Sequence, residues 1–155
     1  MWIRFADIVQ PVEVVEKVQA LTLDLGYHYD LQVEPVDLAF TASPVPGGHL
    51  LEGGFDYRAS APCARCLKPV SFSGHARFSL EYRPADTAPA EEDVEASGEE
   101  PEIVYHEEET LQLEDLVSQQ MYLEVPEKLL CKEDCRGLCP SCGADLNAGL
   151  CGCPP

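Results

Sequence analysis

The stretch VSFSGHARFSLEY, Val70–Tyr82, places Val70, Phe72, Ala76, Phe78, Leu80 and Tyr82 on one phase of a two-residue period. Successive side chains of a strand point to opposite faces, so this pattern marks a strand with one face in a core. Working outward, the same period recurs three times upstream. Leu21, Leu23, Leu25, Tyr27, Tyr29, Leu31 and Val33 carry it first, interrupted by Gly26. Val36, Leu38 and Phe40 follow, then Leu51, Phe55, Tyr57 and Ala59, with SPVPGG at Ser43–Gly48 as turn punctuation between these two runs. Half-buried antiparallel strands need a cover on their apolar face. PVEVVEKVQ from Pro11 is a candidate, read as a short helix with proline at its first position.

A second candidate cover lies downstream. In TLQLEDLVSQQMYLEVP, Leu113, Leu116, Val117, Gln120 and Met121 share one helical face. Glu114 and Asp115 sit in the opening turn and Pro126 lies beyond the end. That pattern predicts an amphipathic helix packed on the sheet. Between sheet and helix, Pro84–Asp115 holds thirteen Asp and Glu and no Lys or Arg. Its segment PADTAPAEEDVEASGEEPE is too poor in apolar residues to offset ordering entropy. The expected organisation is a β-rich domain over 1–83, an acidic disordered linker over 84–109, a helix over 110–130 and a cysteine-rich tail over 131–155. The fold class expected is α+β: an antiparallel, strand-rich N-terminal half with few helices, plus a small zinc-binding C-terminal tail.

Six of the eight cysteines fall between Leu130 and Cys153, and the other two are Cys63 and Cys66. Cys139-Pro-Ser-Cys142-Gly has the shape of a zinc knuckle: two thiolates at this spacing reach one tetrahedral ion, and the glycine permits the tight turn. Cys151 and Cys153 complete a four-thiolate set, a closed coordination of the structural kind. Cys63, Cys66, Cys131 and Cys135 remain, and they suit a second site joining the strand domain to the tail. A competing arrangement draws Cys131 or Cys135 into one site with Cys139 and Cys142; spacing alone leaves both open. The histidines (His28, His49, His75 and His106) are scattered and read as surface or strand residues. A thioredoxin-like use of Cys63 and Cys66 needs a helix N-terminus, whereas Cys66 leads into an alternating strand.

Twenty-eight acids against ten Lys and Arg give a formal charge of −18, which opposes general affinity for nucleic acid or a membrane surface. Half of the positive charge nevertheless lies in one segment, at Arg58, Arg65, Lys68, Arg77 and Arg83, with Glu81 the single acid between Arg58 and Arg83. The bland reading is scattered strand-edge charge; the sharper one is a local phosphate-contacting patch, since screening confines such contacts to about 8–10 Å. The opening MWIRFADIVQ resembles neither a secretory nor a transit segment, so the chain reads as cytoplasmic, where thiols stay reduced and favour metal.

CARCL after a strand, an acidic spacer, the helix LEDLVSQQMYLEVP and then CKEDCRGLCPSCGADLN together resemble the YceD-like family of large ribosomal RNA accumulation proteins. The specific part is carried by Cys131, Cys135, Gly137, Leu138, Cys139, Cys142, Gly143, Leu146 and Asn147; residues 1–60 match in character only. The resemblance implies a non-enzymatic role in bacterial large-subunit assembly and in accumulation of large-subunit ribosomal RNA, with no catalytic residues to carry over. Joined to the acidic charge, it points to a basic ribosomal protein or an assembly factor as partner, with or without a local contact to ribosomal RNA. Neither a membrane nor a small-molecule substrate is expected. Two alternatives stand beside it: a thiol-disulfide oxidoreductase using Cys63 and Cys66, and a zinc adaptor unrelated to ribosomes.

Overall fold

In the computed structural model, which describes residues 1–26, 29–89 and 101–153, the chain begins with β1 (Trp2–Arg4) and a 3-10 turn at Phe5–Asp7. Then come β2 (Val12–Val18), β3 (Leu21–Asp24), β4 (Asp30–Val33), β5 (Val36–Val45), β6 (Gly48–Pro62) and β7 (Pro69–Pro84). A 3-10 turn at Ala85–Thr87 is followed by β8 (Glu102–His106), β9 (Thr110–Gln112) and α1 (Leu113–Glu124). The described residues are thus mostly β, with α1 as the α-helix.

The opening stretch is the inner part of β7. β6 and β7 form one long antiparallel hairpin, from His49 opposite Tyr82 to Pro62 opposite Pro69. The other edge of β6 is shared. Its first half pairs with β5, which pairs with β2; its far end, at Ala59 and Ser60, pairs with β4, which pairs with β3. The sheet therefore forks, with the break at the Glu34–Pro35 connection. β1 pairs with β9 in a separate two-stranded ribbon that leads directly into α1.

One face of the forked sheet is the core. Leu31, Leu38, Phe55, Leu80 and Tyr82 from the strands join Leu113, Leu116, Val117 and Met121 of α1 in a single buried cluster. These helix residues recur at three- and four-residue intervals, so one stripe of α1 meets the sheet and the rest faces out. Val125 is extended, with φ −68° and ψ 122°, because the following proline disfavours helical backbone before it. At the centre of the sheet Gly53 sits opposite both Phe40 and Phe78, whose rings lie 6.1 Å apart. A Cβ on Gly53 would overlap the Ala39 carbonyl oxygen and the Phe40 side chain. Gly53→Ala is expected to cost about 1–3 kcal/mol through overpacking, read as a lower urea midpoint at unchanged slope.

Tyr82 is 3% exposed, and its hydroxyl is pushed up to about 12 by burial and by the nearby Glu102 carboxylate. A tyrosine that must stay neutral in the fold stabilises fully below its ordinary pKa of 10.0, and that contribution is lost as pH rises from there through about 12. The loss is on the order of 2 kcal/mol. Tyr82→Phe should abolish this alkaline sensitivity, measured as melting temperature against pH.

Three segments fold differently from the expectation. PVEVVEKVQ is not a helix: Val12–Val18 is β2, antiparallel to β5, because its four β-branched valines favour extended backbone and a pleated neighbour. The acidic stretch is not uniformly without structure either. Residues 90–100 lie outside the described ones, but Glu102–His106 forms β8, parallel to β7 with Leu80 opposite Glu102. Composition hid this strand: Ile103, Val104 and Tyr105 are strong strand formers, Val104 packs on the core, and the His106 ring lies 4.4 Å from that of Phe5. Finally, α1 is shorter than 110–130, since Thr110–Gln112 belongs to β9 and the chain is irregular beyond Glu124. Tyr27 and His28 also lie outside the described residues. No helix among the described residues is long and apolar enough to cross a membrane.

Candidate metal centres

The tip of the β6–β7 hairpin is the loop that carries Cys63 and Cys66. Its turn is closed by the Cys63 amide donating to the Lys68 carbonyl at 2.7 Å and the Leu67 amide donating to the Cys63 carbonyl at 3.0 Å. Leu67 occupies the left-handed region at φ 62°, which lets the chain turn back into β7 directly after Cys66. Both thiols point inward, Cys63 fully buried and Cys66 nearly so. The segment after α1 returns to this tip, where the Ala64 amide donates to the Leu129 carbonyl at 2.8 Å. That contact delivers Cys131 and Cys135.

The sulfurs of Cys63, Cys66, Cys131 and Cys135 all lie within 4.8 Å of one another. Cys63 and Cys135 are 3.8 Å apart, and Cys66 and Cys131 3.5 Å. A tetrahedral ion at about 2.3 Å from each sulfur requires edges of about 3.8 Å, whereas a disulfide requires about 2.05 Å. The eight cysteines are free thiols. The donor set and its spacing fit a tetrathiolate metal centre.

The surrounding groups favour thiolate charge at Cys63 and Cys135, whereas Cys131 is pushed up to about 12 by the Cys66 thiol and by burial, and Cys66 is raised as well. Burial pushes the Cys63 thiol up, but the amides of Cys66, Arg65 and Cys131, with the Cys66 thiol, outweigh it together and bring the group down to about 6. The Arg65 and Cys131 amides lie 3.5 and 3.4 Å from its sulfur. At Cys135, burial again opposes, while the Asn147 side-chain amide at 3.4 Å helps to lower the thiol.

Cys139, Cys142, Cys151 and Cys153 form a second set, again with sulfurs within 4.8 Å of one another. Gly143, at φ +72°, closes the knuckle by donating to the Cys139 carbonyl at 2.8 Å, and the Cys139 amide donates to the Ala144 carbonyl at 2.8 Å. The Cys142 amide, the Cys151 thiol and the Ser141 amide hold the Cys139 thiol down at about 6.

The two sets are fastened to each other. The hairpin holding Cys139 and Cys142 is braced by the Leu138–Asp145 bridge and by the Leu146 amide donating to the Gly137 carbonyl at 2.9 Å. Asn147 accepts from the Arg136 amide at 2.9 Å while contacting the Cys135 sulfur. Lys68 pairs with Asp145 at 2.6 Å. That ammonium and the Asn147 donors hold the Asp145 carboxyl down at about 2. Gly137, at φ +74°, lies against the Arg65 carbonyl, where a Cβ would come within 3.0 Å.

The five basic residues do not gather into one patch. Lys68 is paired with Asp145, and Arg65 donates to the Cys135 carbonyl at 2.7 Å. Arg83 pairs with Glu81 at 2.7 Å. Arg58 and Arg77 face outward from the sheet, opposite Ser73 and Gly54, with the Asp56–His75 pair at 2.7 Å between them. Neither reading from the sequence, strand-edge charge or a phosphate-contacting patch, included the bracing role of Arg65 and Lys68. The signal for it is the Asp145 and Asn147 pair just beyond the knuckle.

A family model described as "Large ribosomal RNA subunit accumulation protein YceD" matches residues 51–155. Uncharacterized proteins of Mycobacterium bovis and Mycobacterium tuberculosis are each 32% identical over 111 residues, covering 72% of this chain and 51% of theirs. One of Mycobacterium leprae is 28% identical over 112 residues, 72% of this chain and 49% of its own length. The chain therefore spans about half the length of the curated relatives it matches. No solved structure gives a significant match.

Proposed function

Since the chain belongs to the YceD family of large ribosomal RNA subunit accumulation proteins, we propose that it is a non-enzymatic, cytoplasmic factor supporting large-subunit assembly and large-subunit ribosomal RNA accumulation. Both cysteine sets hold zinc in a structural role. The observation that carries the structural reading is the convergence of four thiols, not two, at the hairpin tip. A closed set of four sulfurs leaves no coordination position for a substrate. It also sets Cys63 and Cys66 apart from a dithiol redox pair, whose second thiol must be free to attack the first.

The partner is a basic ribosomal protein or an assembly factor, drawn by the charge of −18. Any ribosomal RNA contact falls to Arg58 and Arg77, the members of the basic segment whose side chains neither an ion pair nor a hydrogen bond engages among the described residues. Depletion of the protein followed by sucrose-gradient profiling should lower the free large-subunit peak relative to the small-subunit peak. A normal large-subunit peak would overturn the assembly role.

A further inference from the structure

A groove of about 410 Å³ lies between α1 and the hairpin tip, and three separate pieces of chain build it. Tyr29 stands on one side; Pro62 and Ala64, entering the Cys63–Cys66 loop, form the second; Tyr122, Val125 and Leu129 form the third. The wall is mainly apolar, yet Tyr122 is 47% exposed and the adjoining Leu123 71%. Tyr122 is fixed in place by its hydroxyl, which donates to the Asp24 carbonyl at 3.3 Å.

Two of these walls run straight into metal ligands. Ala64 sits between Cys63 and Cys66, and Leu129 lies two residues before Cys131. Their spacing is held by the Ala64–Leu129 hydrogen bond and by the first thiolate set immediately beyond it. Val125 and Leu129 also pack on the main core, and Arg65 and Lys68 brace the tail through the Cys135 carbonyl and Asp145, so the groove's outline stands on the fold. What a metal in the first set adds is a fixed spacing between the Ala64 and Leu129 walls, because their neighbours Cys63, Cys66 and Cys131 belong to it.

The charge at the groove is negative. Glu127 lines it, while Lys128, next in the chain, does not. α1 ends here: Val125 is its C-cap residue, and its last turn carries no basic residue. A helix C-terminus bears about half a negative charge, which a cation in the last turn ordinarily offsets. Here that offset is missing, and the complementary group is a lysine or arginine.

We infer that this groove docks an apolar side chain flanked by Lys or Arg on a basic partner protein, and that loading of the first thiolate centre with metal fixes the spacing of its walls. This rests on the assembly reading for the partner's identity, though not for the groove's chemistry. It gives the metal a task beyond holding the tail: it fixes the spacing between two walls of an interaction surface.

The test places a photo-crosslinking p-benzoylphenylalanine at Tyr122 of the full-length, zinc-loaded protein, and in a control at Trp2, another exposed aromatic, on β1. The probe is the protein mixture extracted from purified large ribosomal subunits. Crosslinking from Tyr122 to a Lys/Arg-rich protein should exceed that from Trp2 by roughly tenfold or more, equivalent to about 1.4 kcal/mol of preference. Stripping zinc with a chelator should abolish it. Glu127→Lys should reduce it by a similar factor with the zinc content unchanged, which separates loss of charge from loss of fold.

Equal adducts at both positions, adducts that survive chelation, a covalent dimer of this chain or an acidic captured partner would each overturn the inference. Depletion distinguishes the two failures. If depletion lowers the large-subunit peak but Tyr122 captures nothing, the groove fails and the assembly role stands. If the peak is normal while Tyr122 captures a basic protein in a zinc-dependent way, the assembly role fails and the groove stands.

Discussion

Cys135→Ser is expected to free the tail from the hairpin tip and leave the sheet folded. Cys135 is 1% exposed, and three braces converge on its residue: its sulfur sits in the first set, its carbonyl accepts from Arg65, and Asn147 contacts its sulfur. Structural zinc in small peptides contributes about 10–16 kcal/mol, so losing one of four thiolates forfeits several of these, more than a typical core truncation. Bound metal, counted by native mass spectrometry, should fall from two ions per chain. Tryptic cleavage after Lys128 and Lys132 should accelerate by roughly tenfold or more as the segment opens locally. The sheet should retain its far-ultraviolet circular dichroism, because its core cluster contains no cysteine. Two retained ions with unchanged cleavage would refute the clamp.

Leu116→Ala should produce the second-largest effect, of about 2–5 kcal/mol. Leu116 is fully buried on the face of α1 that meets the sheet, alongside Leu113, Val117 and Met121. The residual cavity lies between a helix and a twisted sheet, both pinned elsewhere, so collapse around it is limited. Urea denaturation reads the loss as a lower midpoint. The metal content of the variant should be unchanged below the transition, since Leu116 and the thiols belong to separate buried clusters. A loss under about 1 kcal/mol would mean that α1 is only lightly docked.

The contrast between these two variants also shows which parts of the protein were legible in its residues. The strands of the central hairpin announce themselves, because Phe78, Leu80 and Tyr82 alternate with polar residues over a long stretch. The face of α1 is equally readable from Leu113 to Met121. β2 was misread because four valines among glutamates suit a helix by spacing and a strand by side-chain shape, and pairing with β5 decided in favour of the strand. β8 was obscured by the acids around it; its pairing with β7 depends on residues about twenty positions away.

At the thiols, local spacing shows that Cys139 and Cys142 can share an ion. Which thiols meet Cys63 is a different matter, because that depends on a hairpin tip and a tail 72 residues apart in sequence. The same distance explains why Arg65 and Lys68 read as free cations. Their acceptors, the Cys135 carbonyl and Asp145, lie 70 and 77 residues further on.

The forked sheet and the hairpin tip together imply an order of events. Cys63 and Cys66 reach their positions once β6 pairs with β7, a local step, whereas Cys131 and Cys135 arrive only after α1 has docked on the sheet. The first centre is therefore expected to close a long loop late, after most of the apolar surface is buried, with its bonds absent from the folding transition state. Interactions of that kind leave the folding rate almost untouched and slow unfolding. Metal bound at the first centre is thus expected to set how long the folded state survives, with proteolytic lifetime tracking metal supply far more closely than refolding speed does.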